Sequence, residues 1–318
     1  VAAISRRDFV RTFVASSFAA GALNEARAAT PRSVFGAQST AEEVTAGLDL
    51  RGKTAVVTGC NSGIGFETMR VLALRGAHVI GTARTRQKGE EACAQIKGRT
   101  TCVVLELTDF DSVVECSRQI RALRVPLDML ILNAGIVLGE IERVYGLEKQ
   151  FVVNHLGHFV LANRLMDLVQ ASPQGRVVTV GSGNHRDAPP DGIQFGRLSG
   201  EGWYKRGYAH SKLANGLFSL ELARRFTGTR ATSNCITPGP VKTQILRYVD
   251  SSTDHQTKSP AQGAATQCYV ATHPTLAGVS GEYFKDCNPA AQSEHQQDVR
   301  MAAKLWQVST ELTARYLA

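Results

Sequence analysis

With 318 residues, 43% of them hydrophobic and 20% charged, the chain suits one large globular domain or two small ones with a core of ordinary size. Its formal charge is +8, three of those charges coming from the first 40 residues (Arg6, Arg7, Arg11, Arg27 and Arg32 against Asp8 and Glu25) and the rest being spread without a dense basic run. Nucleic-acid binding therefore has little support, no transmembrane segment is expected because no stretch reaches ~18 uninterrupted apolar residues, and a mild positive bias suits an anionic cofactor.

The chain opens with Ser5-Arg6-Arg7-Asp8-Phe9-Val10, continues through a weakly apolar stretch at 13–23 and closes it with Ala26-Arg27-Ala28. Twin arginines, modest hydrophobicity and a small-residue exit predict a twin-arginine export signal, leading to a bacterial periplasm or a thylakoid lumen. A cytoplasmic protein with a disordered N-terminal arm is the alternative. On either view residues 1–48 are leader and linker, and 49–318 form one domain. The seven cysteines, Cys60, Cys93, Cys102, Cys116, Cys235, Cys268 and Cys287, are odd in number and contain no C-x-x-C pair. Neither a zinc site, nor any other metal site, nor a disulfide framework is indicated.

From residue 53 the pattern alternates. A β-branched run at 53–58 precedes a helix at 64–75, then come a strand at 78–83 and a helix at 86–96. Strands follow at 101–107 and 129–132, separated by a helix at 111–123. A long helical pattern covers 148–169, and a strand at 176–180, a helix at 208–226 and a strand at 232–236 complete the series. Such a rhythm predicts an α/β fold with a doubly wound parallel sheet, helices on both faces and strand carboxyl ends lined up along one edge.

Gly59, Gly63 and Gly65 lie between the first strand and the first helix, where a turn must bend sharply and approach a pyrophosphate. The helix amino end offers free N–H groups and a positive dipole end there. This is the phosphate turn of a Rossmann-type dinucleotide fold, here spaced G-x-x-x-G-x-G. The second strand ends in Thr82-Ala83-Arg84-Thr85-Arg86, without the carboxylate that would bind the ribose of NAD. Arg84 instead offers a guanidinium fork to a 2′-phosphate, so NADP(H) is expected over NAD(H).

Tyr208 and Lys212 in Tyr208-Ala209-His210-Ser211-Lys212 are one helical turn apart on one face. A phenol ionises near pH ~10, and a neighbouring ammonium is expected to bring it down towards use as an acid–base group.

Together these residues resemble the short-chain dehydrogenase/reductase family, and within it the branch of retinol dehydrogenases and WW-domain oxidoreductases. The resemblance runs from about residue 51 to 316. Thr58 to Gly65 is similar to the family's T-G-x-x-x-G-I-G turn, and Leu132-Asn133-Ala134-Gly135 to its N-A-G strand end. Asn154-His155-Leu156-Gly157-His158-Phe159, Ser182 after Val180-Gly181, and Tyr208 to Asn215 match the catalytic motifs. Pro238, Gly239, Val241 and Thr243 match the P-G-x-V-x-T loop, and Ser280 to Phe284 and Leu305-Trp306 are further marks of the branch. Gly181 and Glu106 depart from the usual serine and aspartate.

The resemblance implies hydride transfer between a nicotinamide and a small-molecule carbonyl or alcohol substrate, lipophilic in much of this branch. Tyr208 would be the acid–base group, Lys212 would bind ribose and lower the tyrosine pKa, Ser182 would hydrogen-bond the substrate oxygen, and Asn154 would hold a relay water. Gly59, Asn61, Ser62, Gly63, Ile64 and Gly65 would wrap the pyrophosphate. Glu106 and Leu107 would lie by the adenine, Asn133, Ala134 and Gly135 by the adenosine side, and Pro238, Gly239, Val241 and Thr243 at the nicotinamide end. His185 has no assigned role. Family members pair through the helices at 148–169 and 208–226 while others in the branch are monomers, so a homodimer stays open. A tetrapyrrole or polyketide reductase on the same scaffold is the nearest alternative, and an NADP-binding redox sensor that regulates a partner is the alternative outside catalysis.

Overall fold

The structure, a computed structural model, describes residues 30–203, 206–243 and 257–317. The expected export signal and most of the polar stretch at 244–259 lie outside the described residues. The chain alternates as its periodicity predicts. β1 (Thr54–Val57) leads into α2 (Gly63–Leu74), β2 (His78–Ala83) into α3 (Arg86–Ala94) and β3 (Thr100–Val104) into α4 (Phe110–Ala122), before β4 (Met129–Leu132). A small hairpin, β5 (Arg143–Val144) and β6 (Leu147–Glu148), then turns into a helix written as α5 (Lys149–Phe151), a π segment (Val152–Leu156) and α6 (Gly157–Ala171). β7 (Arg176–Val180), α7 (Gly207–Arg225) and β8 (Thr232–Thr237) continue the series.

One eight-stranded sheet results, in the order β3-β2-β1-β4-β7-β8-β9-β10. All neighbours are parallel except the pair of β9 (Tyr283–Lys285) and β10 (Asn288–Pro289). Strand order reverses between β1 and β4, so the crevice beyond their carboxyl ends is where a doubly wound sheet binds ligands. β1, β4 and β7 are wholly buried, which explains their unbroken apolar or β-branched runs. One face of the sheet packs on α4, α6 and α7 through Val113, Ile120, Phe159, Leu165, Leu213 and Leu217. The other packs on α2 and α8 (Pro260–Thr272) through Met69, Leu72, Ala264, Cys268 and Val270.

Three features differ from expectation. The compact unit begins at Pro31 rather than at 49. α1 (Ala41–Val44), closed by a Thr40–Glu43 capping box, buries Ala41 and Val44 and packs on α8. Arg75 Nε donates to Thr45 Oγ1 at 3.1 Å, and Asn288 Nδ2 donates to Phe35 O at 2.8 Å, so this strap is pinned to the domain. Second, α8, β9, β10, α9 (Glu294–Gln297) and α10 (Val299–Thr313) extend the fold beyond the strand at 232–236. Third, α10 fills the groove between the two helices expected to pair subunits. Trp306 lies edge-on to Phe159 of α6 at 5.0 Å and stacks on Phe218 of α7 at 5.8 Å, with the Arg225 guanidinium 4.0 Å from its ring. That contact is core within this chain. Among the described residues no helix is long and apolar enough to cross a membrane.

Candidate active site

The carboxyl ends of β1 and β4 are knotted together by one threonine. Thr58 Oγ1 accepts the N–H groups of Asn133 and Ala134, both at 2.9 Å, while Asn133 Nδ2 donates to Thr58 O at 2.8 Å. With both acceptor sites of its hydroxyl used, Thr58 has its proton left for His158 Nε2 at 2.9 Å. The other ring nitrogen, Nδ1, then donates to Asn154 O at 3.1 Å. Burial holds His158 neutral, pushed down to about 4. Asn133 and Ala134, expected beside the adenosine, thus serve first as struts of the turn.

Gly59 and Gly63 take φ of +73° and +59°, the left-handed region glycine enters freely. At Gly65 a Cβ would lie 2.2 Å from Gly59 O and 2.5 Å from Asn133 Nδ2, so the helix can approach the turn only without a side chain. Ser62 is the N-cap of α2, and its side chain makes no capping bond. The first turn of α2, with Asn61, Ser62 and Ile64 around it, therefore keeps N–H groups for an acceptor from outside, as a pyrophosphate requires. Arg84 stands exposed directly after β2, ahead of the Thr85 that caps α3. Glu106 Oε1 accepts from Thr108 N at 3.0 Å and Thr108 Oγ1 at 2.8 Å. Leu107 is buried, with both its side chain and its carbonyl oxygen against Gly157. From the far end of the sheet, Thr243 Cγ2 comes within 3.2 Å of where a Gly63 Cβ would be. Val241 pairs with Lys258 and is buried, and Gly239, at φ +80°, bends the loop after Pro238.

Tyr208 and Lys212 share one face of α7, with Lys212 Nζ 5.6 Å from the tyrosine ring centre. Lys212 is only 3% exposed, and its Nζ donates to Val180 O at 2.9 Å. Burial pushes it down to about 8. The expected lowering of the phenol is not what the protein's own groups do. Burial raises Tyr208 above its ordinary value, opposed by a hydrogen bond with Ser182. Desolvation of a phenolate outweighs the help of one hydroxyl, and Lys212 spends a proton on a backbone carbonyl.

Asn154 occupies the π segment, where one extra residue per turn swings its side chain out of the helical register. Its Oδ1 accepts from Ile136 N at 2.8 Å, and its Nδ2 donates to Ile136 O at 3.0 Å and Ser211 Oγ at 2.9 Å. Ser211 Oγ in turn donates to Tyr208 O at 2.7 Å. The side chain thus ties the loop after β4 to α7. Gly135 lets the loop approach this network closely, because a Cβ there would sit 3.2 Å from Asn154 Oδ1 and 3.6 Å from Lys212 Nζ. Ser182 follows β7 in extended backbone. Its Oγ accepts from Asn184 N at 3.2 Å and donates to Asn184 Oδ1 at 3.1 Å. Gly181 precedes it because a Cβ there would meet Cys235 Sγ at 2.7 Å. Sequence reasoning gave no role to Ser211, His158 or Asn184. The first two lie inside motifs it quoted, but their partners are set by the fold. Among the described residues no group of three or more His, Cys, Asp or Glu side chains could hold a metal ion.

A turn that only glycine can make, uncapped N–H groups at its helix and a buried lysine beside a tyrosine fit a dinucleotide held by its phosphates at α2. The short chain dehydrogenase family model matches residues 53–254. The short-chain dehydrogenase TIC 32 B, chloroplastic, of Brassica napus is 39% identical over 303 residues, covering 88% of this chain and 95% of that protein. The human WW domain-containing oxidoreductase is 37% identical over 303 residues (89% of this chain, 73% of that one), and mouse retinol dehydrogenase 11 is 37% identical over 284 (84% and 88%). The chain belongs to the short-chain dehydrogenase family, in the branch of the retinol dehydrogenases and WW domain-containing oxidoreductases, and is an oxidoreductase built to use a nicotinamide cofactor.

Proposed function

We propose that the protein is an NADP(H)-dependent reductase or dehydrogenase of a lipophilic carbonyl or alcohol. The observation that carries this reading is the meeting of Tyr208 with Lys212, 5.6 Å from its ring centre, and with Ser182 through a hydrogen bond, on the sheet edge that also carries the glycine turn and Arg84. Bound nicotinamide would supply or receive the hydride. Tyr208 gives a proton to the nascent alkoxide in reduction and takes it back in oxidation. Ser182 Oγ–H leaves Asn184 Oδ1 to donate to the substrate oxygen as charge gathers there. Lys212, an ammonium below about pH 8, holds ribose hydroxyls and adds positive charge beside the phenol. Asn154 keeps the loop carrying Gly135 at its distance from α7.

Arg84, with no carboxylate beside it at the strand end, supports a 2′-phosphate, and likeness to retinol dehydrogenase 11 supports a lipophilic substrate. We assign residues 1–30 to a twin-arginine leader; the chloroplastic designation of the TIC 32 relatives supports organelle targeting as its destination. A reporter fused to those residues should be exported, and an Arg6→Lys, Arg7→Lys pair should block it. The function is tested by turnover with NADPH against retinal, a steroid ketone and hexanal. Oxidation of NADPH with at least one is expected, and a flat response to all three would count against the substrate class.

A further inference from the structure

His185, a buried residue just past the strand end, holds the backbone that carries Ser182. Its backbone N–H donates to Ser182 O at 3.2 Å, and its Nδ1 lies 2.7 Å from the same oxygen. A carbonyl can only accept, so Nδ1 carries the ring proton. Nε2 is buried and has no partner, and a proton there would be an orphaned donor. The ring is therefore neutral, with its single N–H spent on Ser182. It is 2% exposed and wedged edge-on against Tyr283, ring centres 5.4 Å apart at 78°. Tyr283 is in register with Cys235 of β8, so the wall behind the histidine is the sheet itself.

Ser182 needs such a support because the ladder stops one residue earlier, where Gly181 N donates to Ile236 O at 2.8 Å. Beyond that point the Ser182 carbonyl has no strand partner. Its hydroxyl bonds to Tyr208 and to Asn184, an exposed residue that can let go when a substrate arrives. We infer that His185 is a positioning residue: its two N–H groups clasp the Ser182 carbonyl and so fix the direction of the serine hydroxyl, while the exchangeable bond to Asn184 leaves that hydroxyl free to turn to substrate. This rests on the role proposed for Ser182 above, and the experiment separates the two.

The variants are His185→Phe, which keeps a ring but no donor, His185→Asn, whose amide nitrogen can replace Nδ1, His185→Gln, whose amide nitrogen falls nearer Nε2, and Ser182→Ala. Each is assayed with NADPH and whichever of retinal, a steroid ketone or hexanal the parent enzyme reduces fastest. His185→Phe should lower kcat by about tenfold to a hundredfold, the scale of a displaced catalytic group, with KM and NADPH affinity changed by less than about threefold. His185→Asn should recover most of kcat and His185→Gln should not. A His185→Phe enzyme with parental kcat beside a dead Ser182→Ala overturns the inference. If the phenylalanine variant fails to fold, equal kcat for the asparagine and glutamine variants overturns it as well. Ser182→Ala with full turnover would instead remove the reading on which the inference stands. Nitrogen NMR of the parent's histidines adds a readout without substrate: His185 should titrate as a ring protonated at Nδ1 alone, and an Nε2-protonated ring rules out the clasp.

Discussion

At the carboxyl ends of β1 and β2 the site is made of backbone, whereas at β4, β7 and α7 it is made of buried side chains. The first region works through positive φ angles, a missing Cβ at Gly65 and an exposed Arg84. The second works through Asn154, Ser211, Lys212 and His158, all nearly closed to solvent and satisfied by one another or by main chain. The contrast follows from what each must do. Phosphates are bound by N–H groups and fixed charge, which need geometry but no special titration. Proton transfer needs groups whose pKa values are set by burial, and burial demands that every polar atom find a partner.

The comparison breaks first at Tyr208. Tyr208→Phe removes one oxygen from the side-chain region and nothing from the backbone region. Turnover should fall by about 10²- to 10⁴-fold, the usual worth of a general acid, while NADPH affinity stays near that of the parent. Loss of both together would mean that the two regions are not separable. In the parent, kcat/KM should fall above about pH 8 as Lys212 loses its proton, a limb that Lys212→Met should abolish along with most activity.

Acid should strike the side-chain region. His155 and His210 are pushed down to about 3 and His158 to about 4, each by burial, from an ordinary value of 6.5. Between those values the unfolded chain binds protons that the folded chain refuses, so stability rises with pH across the window. It is fully present above 6.5 and is lost as pH falls toward about 4. Chemical denaturation at a series of pH values checks this, and a midpoint unchanged between pH 7 and pH 5 would refute it. Thr58→Val tests the link between regions, since it strands two strand-end N–H groups and His158 Nε2 together, at a cost of about 1–3 kcal/mol for each group left unpaired.

In the backbone region, Gly65→Ala places a methyl 2.2 Å from a main-chain oxygen that no rotamer change can move aside. Overpacking of this kind costs about 1–3 kcal/mol. It should appear mostly as weakened NADPH binding, measured by calorimetry, with a smaller drop in the thermal midpoint.

The same contrast explains what the sequence discloses. Strands at 78–83, 129–132 and 176–180 were legible to the residue because short buried runs of apolar and β-branched residues with glycine or proline close by leave little choice. The turn at Gly59 to Gly65 and the Tyr208–Lys212 spacing are local in the chain and were equally plain. The π segment at Val152–Leu156 was hidden inside an ordinary helical pattern, because what pulls Asn154 out of register is Ile136, 18 residues away. Burial of Ala41 and Val44 depends on α8 and could not be seen from the leader's own composition. α8 went unread, although its start carries a local mark in Ser259-Pro260 and the capping box to Gln262. The direction of the Tyr208 shift was misjudged since spacing reports which charge is near but not how much water is lost.

The smallest expected effect is the most direct probe of the backbone region's single charge. Arg84 is exposed and follows β2 at the point where a ribose substituent would lie, so replacing it should cost nothing in stability. In the parent, NADPH should bind more tightly than NADH by about tenfold, or about 1.4 kcal/mol. Arg84→Gln leaves a shorter polar side chain and removes the charge and the guanidinium fork. NADPH affinity should fall to near that of NADH, NADH affinity should hardly move, and the NADPH preference of the parent should shrink as salt is raised, because an exposed guanidinium is screened. Were the two nucleotides to bind the parent equally, the guanidinium would be only the first cation of α3's solvated face, and cofactor choice would have to come from elsewhere along the edge of β2.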